Sequence, residues 1–208
     1  MPAPTSADRG REVRQRLLRA GAELIAERGW SAVSTRALAD RAEVGQGLVH
    51  YHFASLKALL AEAALGAVRA LVEELTGLLE TAPTTEEAVR GALGALDAYT
   101  GRDATSLLFT ETSLAAARDE ELRRELTAVM TSARDALAAR LRQDGVTAPE
   151  ETAAVVLAAL DGLMLHRPVH AGLTSAGTAP VLRRLLTGTN GTNGTHGTNG
   201  TARKTTET

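Results

Sequence analysis

The sequence predicts an all-α protein, on three observations. Hydrophobic residues make up 44% of the 208-residue chain but aromatic residues only 2%. Any core must therefore be built from Leu, Val and Ala, an alphabet that favours helices over sheets. Apolar residues recur at helical spacing along most of the chain, and the breaks between those runs carry Ser, Thr, Asp, Gly and Pro, the residues that start and stop helices. At this length one or two domains with a sizeable core are expected.

Composition excludes several function classes. There is no cysteine, so neither a disulfide frame nor a thiolate metal site can form. The opening residues "MPAPTSADRGREVR" lack the apolar stretch of a secretory signal. No apolar run approaches the roughly 20 residues needed to span a bilayer. The expectation is a soluble, cytoplasmic chain with no membrane partner. Net charge is −2, which by itself argues against a polyanion binder, but the charges are unevenly placed. Residues 1–60 hold nine basic and six acidic side chains, and the remainder 14 basic against 19 acidic. A mildly basic head on an acidic body suggests two jobs.

The elements follow in order. From Arg11 to Arg28, Val13, Leu17, Ala20 or Gly21, Leu24 and Ile25 repeat at helical period; Gly29 stops the run and Trp30 can pack back on it. Ser34 or Thr35 caps a short helix that turns Leu38, Ala39 and Ala42 inward. "EVG" makes a turn before a third helix, Gln46 to about His52, and Ser55 opens a long helix reaching Glu80. Pro83 ends it. Thr84 and Glu87 form a capping box for the next helix, expected to end near Gly101. A further helix runs from Ala104 to about Ala117. Asp119 caps a long amphipathic one with Leu122, Leu126, Val129, Met130, Ala133, Leu137 and Leu141, closed by Gly145. Thr147 and Pro149 start "PEETAAVVLAALDGLMLH", whose centre is apolar nearly all round; Pro168 disturbs it. Thr178 and Pro180 begin a last helix carrying Val181, Leu182, Leu185 and Leu186. The expected organisation is a head at 1–54, a helical body at 55–187 and a disordered low-complexity tail at 188–208.

"STRALADRAEVGQGLVHYHF", Ser34 to Phe53, thus reads as a helix-turn-helix resting on a supporting helix, an arrangement that lays one helix across phosphates and the next into a major groove. Leu38 and Val49 face the core, Val44 plugs the turn and Phe53 closes the unit. The stretch "AGAELIAERGWSAVSTRALADRAEVGQGLVHYHFASLKALL", Ala20 to Leu60, resembles the tetracycline-repressor-like (TetR) family of bacterial transcription regulators, with a weaker match at "ALDGLML". The resemblance implies a dimer with a three-helix DNA-binding head and a variable helical effector domain. It also implies roles for residues: Thr35 at a helix start on phosphate, Arg36 on phosphate or base, Gln46 and Gly47 leading the recognition helix, and His50, Tyr51, His52 and Lys57 near the backbone. Gln46 can pair bidentately with adenine, or it is an ordinary solvated helix residue. Three departures stand out. Glu43 occupies the usual turn glycine and calls for a left-handed backbone at a cost on the order of 1 kcal/mol. His50 replaces a Tyr, and Leu56 replaces a Lys with Lys57 one place on.

No metal or cofactor is expected. His50 and His52, at i and i+2, point to different helix faces. His166 and His170 have ligand spacing but no evident third ligand. No glycine-rich phosphate loop or nucleophile elbow appears, so an enzyme is not expected. In the body, Tyr99, Phe109, Ser113, Met130, Met164 and His166 are the candidates to line a site for a hydrophobic small-molecule effector. Val156, Leu160, Leu163 and Leu182 are the candidates for a four-helix homodimer interface, the alternative for some of them being the subunit core. The resulting expectation is a homodimeric repressor on a palindromic double-stranded DNA operator, released by that effector. The rivals are a helical ligand-binding or interaction protein without DNA binding, and an unrecognised all-α enzyme.

Overall fold

The computed structural model describes residues 5–170 and 172–186. Among these residues the chain forms nine α-helices and one 3₁₀ turn, with no strand. The tail at 188–208 and the Leu185 side chain lie outside the described residues.

Helix α1 (Ser6–Arg28) starts ahead of the expected Arg11. Thr5 and Asp8 form a capping box there, each side chain accepting from the other's backbone N–H. After the 3₁₀ turn Trp30–Ala32 come α2 (Thr35–Arg41) and α3 (Gln46–His52), then α4 (Leu56–Thr81). Ser34 and Ser55 cap α2 and α4 by accepting from the amides of Ala37 and Ala58. The head core combines Leu17, Leu24 and Ile25 of α1 with Leu38, Val49 and Phe53. Leu59, Leu60 and Ala64 of α4 join it. Gly21 is what lets α1 close on α4, since a Cβ there would stand 2.9 Å from Leu59 Cδ2.

With 26 residues, α4 runs for about 39 Å, leaving the head core and ending in the body core at Leu79. The body adds α5 (Thr85–Leu96), α6 (Ala104–Ala116), α7 (Glu120–Gln143), α8 (Pro149–His166) and α9 (Ser175–Leu186). Its core packs Leu79 against Val89, Leu93, Leu137, Leu141, Val156 and Leu182. Arg140 of α7 donates to the carbonyls of Leu79, Ala82 and Pro83 and so fixes the α4–α5 corner.

Three further sequence expectations need correction. Helix α5 stops at Leu96 instead of near Gly101. Arg167 donates to the carbonyls of Leu96 and Tyr99 and pairs with Asp97, satisfying the helix end from outside. Gly101 lies beyond, at φ +76, where a Cβ would overlap the Pro168 ring. Helix α9 begins at Ser175 and places Pro180 in its interior, because Thr174 accepts from the Gly177 amide and sets an earlier start. The third concerns the interface candidates. Val156, Leu160, Leu163 and Leu182 are 0–8% exposed within the subunit's own core, so their side chains are not available to a partner. The large exposed apolar residues of α8 and α9 are Val155, Leu165 and Val181, with Val169 just beyond α8.

In the α2–α3 turn Glu43 is left-handed, at φ 54, as its place in "EVG" required. Replacing it by glycine removes the Cβ conflict. Glu43→Gly is expected to raise stability by about 1 kcal/mol, read as a higher denaturant midpoint at unchanged slope.

Candidate functional site

Helix α3 buries only Val49; Gln46, Gly47, Leu48, His50 and Tyr51 are all exposed. Seven residues are too few for a helix to persist in water by itself. It is held by Val49 and the following Phe53 in the head core, and by the Phe53 amide, which donates to the Val49 carbonyl. Gln46 opens the helix after Gly45, and a side chain at Gly47 would meet open space. Tyr51 is 80% exposed and meets the His52 ring edge-on at 5.0 Å. Thr35 is the first residue of α2 and half-buried, and Arg36 beside it is exposed, 3.9 Å from Asp40. Behind this surface Arg41 forks onto Glu23 and Glu27, which raises the Arg41 pKa and lowers that of Glu27. Arg14 stacks 4.8 Å from the Phe53 ring centre and pairs with Glu62 of α4 at 2.6 Å.

Two further polar contacts tie the head and the start of α4 to α6 and α7. Glu111 of α6 accepts the Trp30 backbone N–H at 2.9 Å. Lys57 of α4 pairs at 2.6 Å with Asp119, the N-cap of α7, which raises the lysine pKa and lowers that of the aspartate. Leu108 of α6 is part of the head core, while the next residue, Phe109, lines a cavity of about 110 Å³ in the body. Its walls come from α4 (Val68, Leu71, Val72, Leu75, Leu78), α5 (Ala92, Ala95, Leu96), α7 (Met130, Ala133) and α8 (Leu157, Leu160, Met164), with Tyr99 from the loop after α5. Glu74 and Asp161 are the acidic residues in that lining.

The family model described as "Bacterial regulatory proteins, tetR family" matches residues 17–63, and "Tetracyclin repressor-like, C-terminal domain" matches residues 83–189. The chain belongs to the TetR family. An uncharacterized HTH-type transcriptional regulator of Mycobacterium tuberculosis is 31% identical over 173 residues, 80% of this chain and 88% of that one. A transcriptional regulator of Streptomyces coelicolor, SCO7518, has a similar solved structure: TM-score 0.71 at 29% identity, over 85% of this chain and 99% of that one. The multidrug binding protein EbrR, solved with ethidium, aligns at TM-score 0.62 and 26% identity, over 83% of this chain and 98% of its own.

In this TetR-family transcriptional regulator, the residues singled out for DNA lie on one unit, the α2–α3 pair, except Lys57, whose ammonium is held by Asp119. Leu56 is half-buried against the head core, so that departure from the family pattern is a packing residue. Of the six effector candidates, Tyr99, Phe109, Met130 and Met164 line the cavity together. Ser113 and His166 do not. Both are exposed, Ser113 on the outer side of α6 and His166 at the end of α8. Among the described residues no group of three or more His, Cys, Asp or Glu is placed to hold a metal.

Two charged cavity residues went unread in the sequence, Glu74 and Asp161. For Asp161 there was a signal: it is the one charged residue between Glu151 and His166, set in a run otherwise fit for a core. Its carboxylate has no hydrogen bond or ion pair with any described residue, and burial pushes its pKa up to about 6. Burial, and then the charges of Glu74 and Asp103, also raise the Tyr99 hydroxyl, so it remains a neutral donor.

A carboxyl whose pKa rises on folding favours the fold fully below the unfolded value near 4. That contribution is lost as pH climbs through about 6. Above that pH the ionised group is a burden. Asp161→Asn is therefore expected to be more stable than the parent chain by about 1–3 kcal/mol at pH 7.5. The gap should narrow at pH 5, as checked by thermal unfolding at both values.

Proposed function

We propose that this regulator is a homodimeric repressor that binds a palindromic operator through α2 and α3 and is released by a hydrophobic small molecule in the α4–α8 cavity. One observation carries the reading: α6 belongs to both compartments. Phe109 forms cavity wall, Leu108 is packed in the head core and Glu111 holds the Trp30 amide. An occupant that displaces Phe109 displaces the seat of α1, and with it the spacing of two recognition helices that must meet successive major grooves. About 100-fold preference of the ligand for the DNA-incompetent state corresponds to roughly 2.7 kcal/mol of coupling. The apolar lining suits such a ligand, and the related EbrR was solved with ethidium.

The DNA side is tested by gel shift over a range of salt. Gln46→Ala is expected to relax sequence preference by about 1–3 kcal/mol, and Thr35→Val to weaken binding to all duplexes alike. Equal affinity of the parent chain for palindromic and random DNA at moderate salt would contradict specific recognition.

The dimer reading uses the outer face of α8 instead of its buried one. Ala154, Val155, Ala158, Gly162 and Leu165 follow the i, i+3, i+4 spacing of a single stripe, small or apolar throughout. Val155 and Leu165 are 52% and 55% exposed, and Val181 stands out on α9. Close packing of this stripe on its symmetry mate gives a self-complementary interface. The double variant Val155→Glu, Leu165→Glu is expected to weaken association at least about 100-fold, or roughly 2.7 kcal/mol, and to sediment as a monomer at micromolar concentration while keeping its helix content.

A further inference from the structure

The cavity's charge is unusual for its surroundings. Two carboxylates line it, Glu74 from α4 and Asp161 from α8, with no lysine, arginine or histidine among the described residues of the lining. The two differ in setting. Glu74 is exposed and marks the cavity's solvent side, whereas Asp161 is half-buried among leucines and methionines. Neither has a hydrogen bond or ion pair with any described residue. An unpaired charge in an apolar wall is disfavoured unless something compensates it, and no group among the described residues does so. The remaining polar residue of the described lining, Tyr99, contributes an aromatic ring and a neutral hydroxyl, and Phe109 contributes a second ring. Aromatic faces beside an anion form a cradle for a positive centre, while the apolar floor accommodates a hydrophobic body.

We infer that the effector is an organic cation with an apolar body, its charged centre set against Asp161 and Glu74 between the rings of Tyr99 and Phe109. This rests on the reading of the cavity as an effector site and names its ligand class. A phenyl group matches a cavity of this size, since an engineered apolar cavity of about 150 Å³ holds benzene. A neutral ligand of the same shape leaves the Asp161 charge uncompensated, and an anion adds a third negative charge. Binding of a permanent cation also depends on pH. It requires ionised Asp161, which titrates near 6. The other titratable groups in the lining are Glu74 and Tyr99; the walls contributed by α5, α6 and α7 carry none.

The test compares benzyltrimethylammonium, benzyl alcohol and phenylacetate by calorimetry on the full chain. At pH 7.5 the cation is expected to bind at least tenfold tighter than the alcohol, and phenylacetate weakest. Asp161→Asn, which keeps the side-chain shape, should cut cation affinity about tenfold and leave benzyl alcohol within twofold. Glu74→Gln should act in the same direction and by less. From pH 7.5 to 5.0 cation affinity should fall roughly tenfold in the parent chain and stay flat in Asp161→Asn. Equal binding of cation and alcohol overturns the inference, as does no binding by any of the three, or a cation preference that survives both substitutions. Operator release is scored separately by gel shift. Selective cation binding without release overturns the effector reading and supports the ligand class. Release by benzyl alcohol without a cation preference does the reverse.

Discussion

One peptide bond separates Leu108, packed in the head core, from Phe109, in the wall of the body cavity. A helix is stiff along its axis, so α6 cannot yield at one of these residues without carrying the other. Glu111, one turn on from Leu108, accepts the Trp30 amide just past the end of α1, and Thr112 is buried with its hydroxyl on the Leu108 carbonyl. The head therefore does not swing freely from the body. It is seated on α6 and on the first half of α4, and the cavity is bounded by the same two helices. The proposed coupling of cavity to recognition helices depends on that shared wall.

The charges reinforce the seat. Lys57 reaches from the start of α4 to Asp119 at the start of α7, so the residue nearest the family's phosphate-contacting position serves the joint between domains. Arg14 ties α1 to α4 through Glu62 while covering Phe53. Each exposed pair is worth little by itself. Their positions matter: Arg14–Glu62 restrains how α1 and α4 slide where Gly21 has already brought them together, and Lys57–Asp119 holds α4 against α7.

The head was legible because its signals are local. Ser34, Ser55, Gly29 and the "EVG" turn act within a few residues of themselves, and even the strained Glu43 could be read from its place in the turn. The cavity was partly legible, through bulky or polar groups such as Tyr99, Phe109, Met130 and Met164 interrupting an Ala- and Leu-rich background. Helix α8 was not. A helix apolar nearly all round does not say which face turns inward, so Val156, Leu160 and Leu163 were assigned outward when α7 and α9 cover them. The same ambiguity hid Asp161, whose meaning depends on facing a cavity instead of water. Ser113 fails for a related reason: it lies on the side of α6 that faces solvent, which its sequence does not distinguish from the side facing the cavity. The helix limits that moved, at Thr5, Leu96 and Thr174, were set by single hydrogen-bonding side chains, two of them from residues near the boundary and one, Arg167, from far along the chain.

The claim that cavity and head are coupled through α6 is tested most directly by the distance between the two recognition helices of a dimer. The chain has no cysteine, so Ala54→Cys, at an exposed position just past α3, gives one spin label per subunit. With operator bound, pulsed dipolar spectroscopy should show a narrow distribution matching successive major grooves, about 34–36 Å between helix centres. Saturation with a ligand shown by calorimetry to occupy the cavity should move that distribution by several ångströms, and Phe109→Ala, which removes the wall the ligand presses on, should suppress the movement at ligand concentrations shown by calorimetry to saturate the variant. An unchanged distance on ligand saturation, or an equal change in Phe109→Ala, would contradict the account.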